Sequence, residues 1–445
     1  MKKVKMLIAS LLVGALMLSA CSTSVETTTA TAKSSDETKS SATTNPAAET
    51  SDSGSPVSLS LWCGFTGPDG EILKEIVDRF NSTNDKGITV TLDIMGWDIL
   101  AQKLPTAIAT NTAPDMALLI GDTIPQYINS GALQGMDDYW TVTGLDKANY
   151  VKNVLDAGVF SGTTYALPMQ FNLIYLYWNK ALFTAAGLDP ETPPATMQEL
   201  AEFAVKLTDS SKNQFGFGMP VKGSPEYWTS FFWNNGGELF DTSSKKSQLN
   251  SAENIDTLAW MQDLAMNKKV TPVGATGADL EALMSSGQLG MYIDGPWLIG
   301  GLKAGNIDFG ITAPPAGSKG QSVISGEIGF VLPVTNTQNK EACYEFIKYW
   351  MSDDIMKEWS LKNGFPAWSN SVLADPEIMA DPIQSAISPL NILGRVYNPN
   401  AYAAMSALNN DAMWPMIEAA LTTDAAPKTL IEDASEKIDD VFANN

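Results

Sequence analysis

Residues 167–188 read LPMQFNLIYLYWNKALFTAAGL, and this stretch decides the fold. It opens on a proline-set extended segment, continues as an apolar-aromatic strand from Ile174 to Trp178, and turns at Asn179-Lys180 into a short helix that Gly187 stops. Strand and helix are almost continuous here. With alternating strands and helices before it and a more helical region after it, the passage suits a crossover between two lobes.

Upstream, Val57, Leu59, Leu61, Cys63 and Phe65 alternate with Ser58, Ser60 and Trp62, which predicts a strand with one strongly apolar face. The turn Thr66-Gly67-Pro68-Asp69-Gly70 follows, with Pro68 fitting an early helical position, and Ile72, Leu73, Ile76, Val77 and Phe80 then form a helical stripe. A second strand covers Ile88 to Ile94, a helical segment from Trp97 to Thr110 is interrupted by Pro105, and a third strand runs from Asp115 to Ile120. Such alternation predicts an α/β fold with a parallel sheet of doubly wound type, whose ligands lie outside the carboxyl ends of the strands. Phe65, Thr66, Trp97 and Asp122 fall at those ends and are candidate site residues. The same positions also suit edge-of-core aromatics and a helix cap.

Downstream, Thr196 to Thr208 reads as a helix with a Thr196-x-x-Glu199 capping box, and Phe215 to Met219 as a short strand. The segment EYWTSFFWNNGGELF (226–240) carries more rings than one buried stripe needs, so at least one is expected to face outside the core; Trp228 and Trp233 are the candidates. In GQLGMYIDGPW (287–297) a strand leads into a Gly-Pro turn that aims Trp297 in a fixed direction. A helix is expected over Lys340 to Met351, and others over Tyr402 to Leu421 and Pro427 to Phe442.

The first twenty residues read as a targeting segment: Lys2, Lys3 and Lys5 precede an apolar run, Met6 to Leu18, that is too short to span a bilayer. Ser22 to Ser55 is a Ser/Thr/Ala-rich stretch with no aromatic residue, read as a disordered tether. The net charge of −22 disfavours nucleic acid as a partner. The absence of histidine removes Ser-His-Asp and Cys-His catalysis and HExxH zinc sites. No cofactor or metal is expected. Cys63 and Cys343 are read either as a bridge or as two buried small hydrophobes.

Several segments carry a resemblance. WCGFTGPDG (62–70), KEIVDRFN (74–81), APDMALL (113–119), NSGALQGMDD (129–138), the YWNKALFTAAGL portion of the opening stretch and GQLGMYIDGPW stand in an order similar to that of the family 1 extracellular solute-binding proteins, the carbohydrate receptors of ABC importers. The resemblance implies a two-lobe periplasmic-binding-protein-like fold (type II), each lobe a mostly parallel sheet flanked by helices, with a hinged cleft between. It implies an N-terminal lobe of 57–169 plus 327–368 and a C-terminal lobe of 170–326 plus 369–445. It places Trp297 on a sugar ring, Trp414 at an aromatic ligand contact, and Gln170, Asn172 and Glu327 near the hinge crossings, with Asp294 close by. Leu18-Ser19-Ala20-Cys21 resembles a bacterial lipobox, which implies cleavage after residue 20 and a lipid on Cys21. The expected partners are then a carbohydrate ligand, ABC permease subunits and the membrane through a lipid anchor, with the protein a monomer on the outer face of the cell membrane.

Sugars offer apolar faces that lie on aromatic rings and hydroxyls that carboxylates and amides hold. A cleft carrying both, and no catalytic constellation, favours a binding protein over an enzyme. Two alternatives stay open: a receptor for a polyol, peptide or polyamine, and a secreted glycoside-active enzyme using paired carboxylates. Leu118-Leu119 stand where maltodextrin receptors carry an aromatic after the Pro-Asp pair, which argues against maltose.

Overall fold

In chain order, the strands that build the two main sheets are β1 (Val57–Cys63), β2 (Ile88–Ile94), β3 (Met116–Ile120), β4 (Leu167–Leu173), β5 (Tyr175–Asn179), β6 (Phe215–Gly218), β7 (Leu289–Asp294), β8 (Phe309–Thr312), β9 (Val323–Val331) and β10 (Gly394–Val396). They come from a computed structural model, which describes residues 56–221, 227–397 and 404–445. The targeting segment, the tether and Cys21 lie outside the described residues.

The first sheet has the order β10-β9-β3-β1-β2, with β4 also pairing β9. β1 lies parallel to both β2 and β3, as the alternation of strands and helices requires. β9 returns antiparallel to β3 and β4, and β10 lies parallel to β9. The second sheet, β8-β5-β7-β6, keeps one parallel pair, β7 with β6, while β5 runs antiparallel to both neighbours.

The opening stretch serves both sheets. β4 ends at Leu173 in the first sheet and β5 begins at Tyr175 in the second, so Ile174 alone makes the passage. Its amide donates to the Ile324 carbonyl at 3.2 Å, which ties this passage to the start of β9. Asn179 then caps the helix Lys180–Ala185 by accepting from the Leu182 amide, and Gly187 takes the left-handed conformation (φ +73°) just after the end of that helix.

Helix α1 (Pro68–Thr83) buries Leu73, Ile76, Val77 and Phe80 on the first sheet. Asn84 ends it: its side chain donates to the Phe80 and Ile88 carbonyls and accepts from the Ile88 amide, which fixes where β2 starts. Helix α2 (Trp97–Ala109) passes through Pro105 without interruption, contrary to expectation. Pro105 and Ala101 sit on the exposed face, so the carbonyl that loses its donor meets solvent.

The other correction concerns residues 227–234. Trp228, Phe231, Phe232 and Trp233 are all buried, and of the two candidates Trp233 lines a side pocket while Trp228 packs in the core. The helix Thr229–Asn234 is enclosed on every side: Phe231 packs edge-on against Phe217 and also meets Trp260, and the Arg395 guanidinium covers Trp233 at 4.2 Å. Thr196 caps the helix Met197–Leu207 as expected, but Glu199 accepts from the Ala195 amide, so the reciprocal half of the capping box is absent. Cys63 and Cys343 are free and buried.

Candidate functional site

A cavity of about 590 Å³ opens where the two sheets meet, within the range of roughly 300–1,000 Å³ typical of small-molecule pockets. From the first sheet and the turns at its strand ends it takes Phe65 after β1, Trp97 at the start of α2, Gly121 and Asp122 after β3, and Gln170 and Asn172 on β4. Trp297 follows β7 on the other side, and Tyr397 follows β10. Ile174 and Ile324, the two residues that tie the lobes together, line it as well.

Each ring is set by its neighbours. Phe65 and Trp97 meet edge to face, centroids 5.5 Å apart at 89°, which leaves Trp97 half-buried with its indole at the cavity wall. Trp297 is 43% exposed, the only tryptophan among the exposed large apolar residues that are described. It is held against the Gly295 backbone: a Cβ on that glycine would stand 2.2 Å from the indole. The buried Tyr177 hydroxyl donates to the Gly295 carbonyl at 2.8 Å and so fixes the turn that carries Trp297.

The polar lining is rich in acceptors. Glu327 on β9 is 7% exposed and makes no hydrogen bond or ion pair with any described residue; loss of hydration, and then the charge of Asp122, push its carboxyl up to about 8. Asp122 is exposed at the cavity wall, and loss of hydration around its carboxyl raises it above the usual range despite a bond from its own amide. Gln170 is buried with its carbonyl oxygen unpartnered. Asp115, one strand away, shows what a structural carboxylate looks like: it accepts from the Ser60 amide and hydroxyl at 2.8 Å and from Asn339 at 2.6 Å. Glu327 has none of these partners.

Of the candidates named from sequence, Phe65, Trp97, Asp122, Gln170, Asn172, Trp297 and Glu327 line this cavity together. Thr66 is exposed beside Phe65 and is not among the lining residues. Trp228 is packed in the second-lobe core near Phe217 and Phe231. Trp233 lines a separate pocket of about 190 Å³ that shares Val396 and Tyr397 with the main cavity. Trp414 is half-buried against the second-lobe core. Asp294 is fully buried, with one oxygen accepting from the Gly295 amide, and supports the Trp297 turn from behind. Asn153, Asp156, Phe365 and Tyr397 were not among the candidates yet line the cavity. Only Phe365, inside a segment GFPA (364–367), carried a sequence signal.

With this geometry in place, comparison with known proteins becomes informative. The family model described as bacterial extracellular solute-binding protein matches residues 75–386. The chain belongs to that family. This solute-binding protein is 26% identical over 308 residues to a binding protein of Brucella abortus, covering 68% of this chain and 73% of the relative. It is 27% identical over 293 residues to the maltotriose-binding protein of Pyrococcus abyssi, covering 64% of this chain and 61% of that one. A solved solute-binding protein of an ABC transporter from Thermotoga lettingae, bound with α-D-tagatose, superposes with a TM-score of 0.76 at 23% identity, over 87% of this chain and all of the other. The shared fold is the two-lobe type expected from the sequence, and the family's location is extracytoplasmic. Among the described residues no helix is long and apolar enough to cross a membrane.

Proposed function

We propose that this solute-binding protein captures a carbohydrate, in the form of an oligosaccharide, between its lobes and delivers it to the permease of an ABC importer. The observation that carries the reading is one cavity combining ring faces, Trp97 and Trp297, with the side-chain acceptors Glu327, Asp122 and Gln170, of which Glu327 takes no hydrogen bond from any described residue. Rings suit the C–H faces of a sugar, and unpartnered acceptors suit its hydroxyls. The maltotriose and tagatose named for the relatives support the same ligand class.

The lobes are assigned as 57–169 plus 327–368 and 170–326 plus 369–445. A ligand touching both lobes has more contacts in the closed form than in the open one, and this difference in affinity drives closure. Cys21 in the Leu18-Ser19-Ala20-Cys21 segment carries the lipid that keeps the protein at the membrane, and Ser22 to Ser55 gives the folded part its reach. The protein binds without catalysis.

A glycan panel tests the reading by thermal shift, with the glycan recovered and analysed afterwards. The expected result is that one group of oligosaccharides raises the melting temperature and is recovered intact. Consumption of the glycan points to the glycoside-active enzyme, and stabilisation by peptides or polyols alone removes the carbohydrate reading.

A further inference from the structure

We propose that the ligand carries a protonated amino group, held between Glu327 and Asp122 at the floor of the cleft: an amino sugar or an oligosaccharide containing one. This rests on the carbohydrate reading and narrows it.

The charged residues lining the cavity are Asp69, Asp122, Asp156 and Glu327, with no lysine or arginine among the described lining residues. Two of the four are already engaged. Asp156 pairs with Lys152, and Asp69 accepts from the Gly70 amide at 2.9 Å. Glu327 and Asp122, the latter bonded by its own amide alone, remain, and they are neighbours: a Cβ on Gly121, the residue before Asp122, would stand 1.9 Å from Glu327 Oε1, so the charge of one disfavours ionisation of the other. Glu327 is more than nine-tenths buried and has no donor among the described residues. Gln170, whose carbonyl oxygen is buried and unpartnered, lines the same cavity.

A sugar hydroxyl supplies one donor and brings no charge, so a neutral ligand leaves a cavity lined by four acids with no cation among the described lining residues. An ammonium group supplies three donors, no acceptor and the charge that lets both carboxylates ionise side by side. A metal ion would need a third ligand, and among the described residues no group of three or more acidic or cysteine side chains is arranged to hold one. Trp297 offers a ring face in the same cavity, which asks for an amine attached to a sugar ring rather than to a bare chain.

The test is titration calorimetry of the purified protein with matched tetrasaccharides of glucosamine, N-acetylglucosamine and glucose, in α-1,4 and β-1,4 series, alongside spermidine. The expected result is binding of an aminated glycan about tenfold or more tighter than its neutral counterparts, a preference that shrinks between about 0.05 and 0.5 M salt. Glu327→Gln and Asp122→Asn should each bring the ratio of aminated to neutral affinity toward one, a change that general loss of folding does not produce. Neutral glycans binding as tightly as aminated ones overturn the amine while leaving the carbohydrate reading standing. Spermidine binding as tightly as the aminated glycan overturns the sugar and leaves the ammonium site. No binding of any member overturns both.

Discussion

The Glu327 carboxyl occupies the space that Gly121 leaves by lacking a side chain: a Cβ built on Gly121 would stand 1.9 Å from Glu327 Oε1. The two face each other across β9 and the end of β3, where Ile328 pairs with Ile120. An acid with no donor among the described residues is thereby threaded beside backbone to the cavity, next to Asp122. The arrangement stabilises nothing in the empty protein. It has meaning for something that enters.

Gly121→Ala should displace the Glu327 carboxyl without emptying the core, because the new methyl meets the far end of a side chain and not backbone. Ligand affinity is expected to fall by about tenfold or more, near 1.4 kcal/mol, while the melting temperature of the empty protein changes little. Calorimetry and a thermal melt on the same variant separate the two.

Glu327 also predicts a pH dependence of stability. Its folded-state pKa is raised to about 8 from an ordinary 4.5, so between those values the folded protein holds a proton that the unfolded chain releases. Stability from this group is complete below about pH 4.5 and drains away as pH rises toward 8, at up to about 1.4 kcal/mol per pH unit. Glu327→Gln stays neutral and lacks this slope. Melting temperatures across this range should show the variant gaining on the wild type as pH rises, and parallel curves would contradict the assignment.

The tryptophans should divide by location. Trp297→Ala removes a ring that is 43% exposed in the cavity and is expected to weaken binding more than tenfold, about 1.4 kcal/mol, with melting unchanged. Trp414→Ala truncates a half-buried ring of the second-lobe core and should cost stability of about 2 kcal/mol, less than the roughly 3–5 of a fully buried ring. Denaturant titrations beside binding isotherms read both effects.

Tyr177→Phe leaves the Gly295 carbonyl without its donor in a fully buried setting. A cost of about 1–3 kcal/mol is expected, together with a looser Trp297 turn. Weaker ligand binding in a variant that touches no ligand is the sign to look for.

Cys21→Ser should release the protein from membranes into the soluble fraction, with binding retained. Fractionation and detergent partitioning check the lipid anchor directly.

Much of this architecture was legible in the sequence because β1 to β3 alternate with period two and α1 repeats at helical spacing, signals that depend only on local geometry. Phe65, Trp97 and Asp122 were found by the same route, since strand ends in such sheets gather at one edge. Glu327 and Gln170 were reached through resemblance alone; nothing in a strand's alternation says that a carboxylate on it will be denied a partner. The rings at 227–234 were hard to place because periodicity assumes one buried face, whereas Trp228, Phe231, Phe232 and Trp233 are all buried. Asn153 and Asp156, from the five-residue helix Lys152–Asp156, and Tyr397, after a three-residue strand, reach the cavity only through tertiary packing. No local pattern marks them.

The most direct measurement is a crystal structure of the protein with the tightest-binding member of the glycan panel. A sugar ring lying on Trp297 between the lobes, with a polar group of the glycan within hydrogen-bond reach of Glu327, is the predicted result. A glycan bound elsewhere, for example in the side pocket at Trp233, with the Glu327 carboxyl still unpartnered, would contradict it.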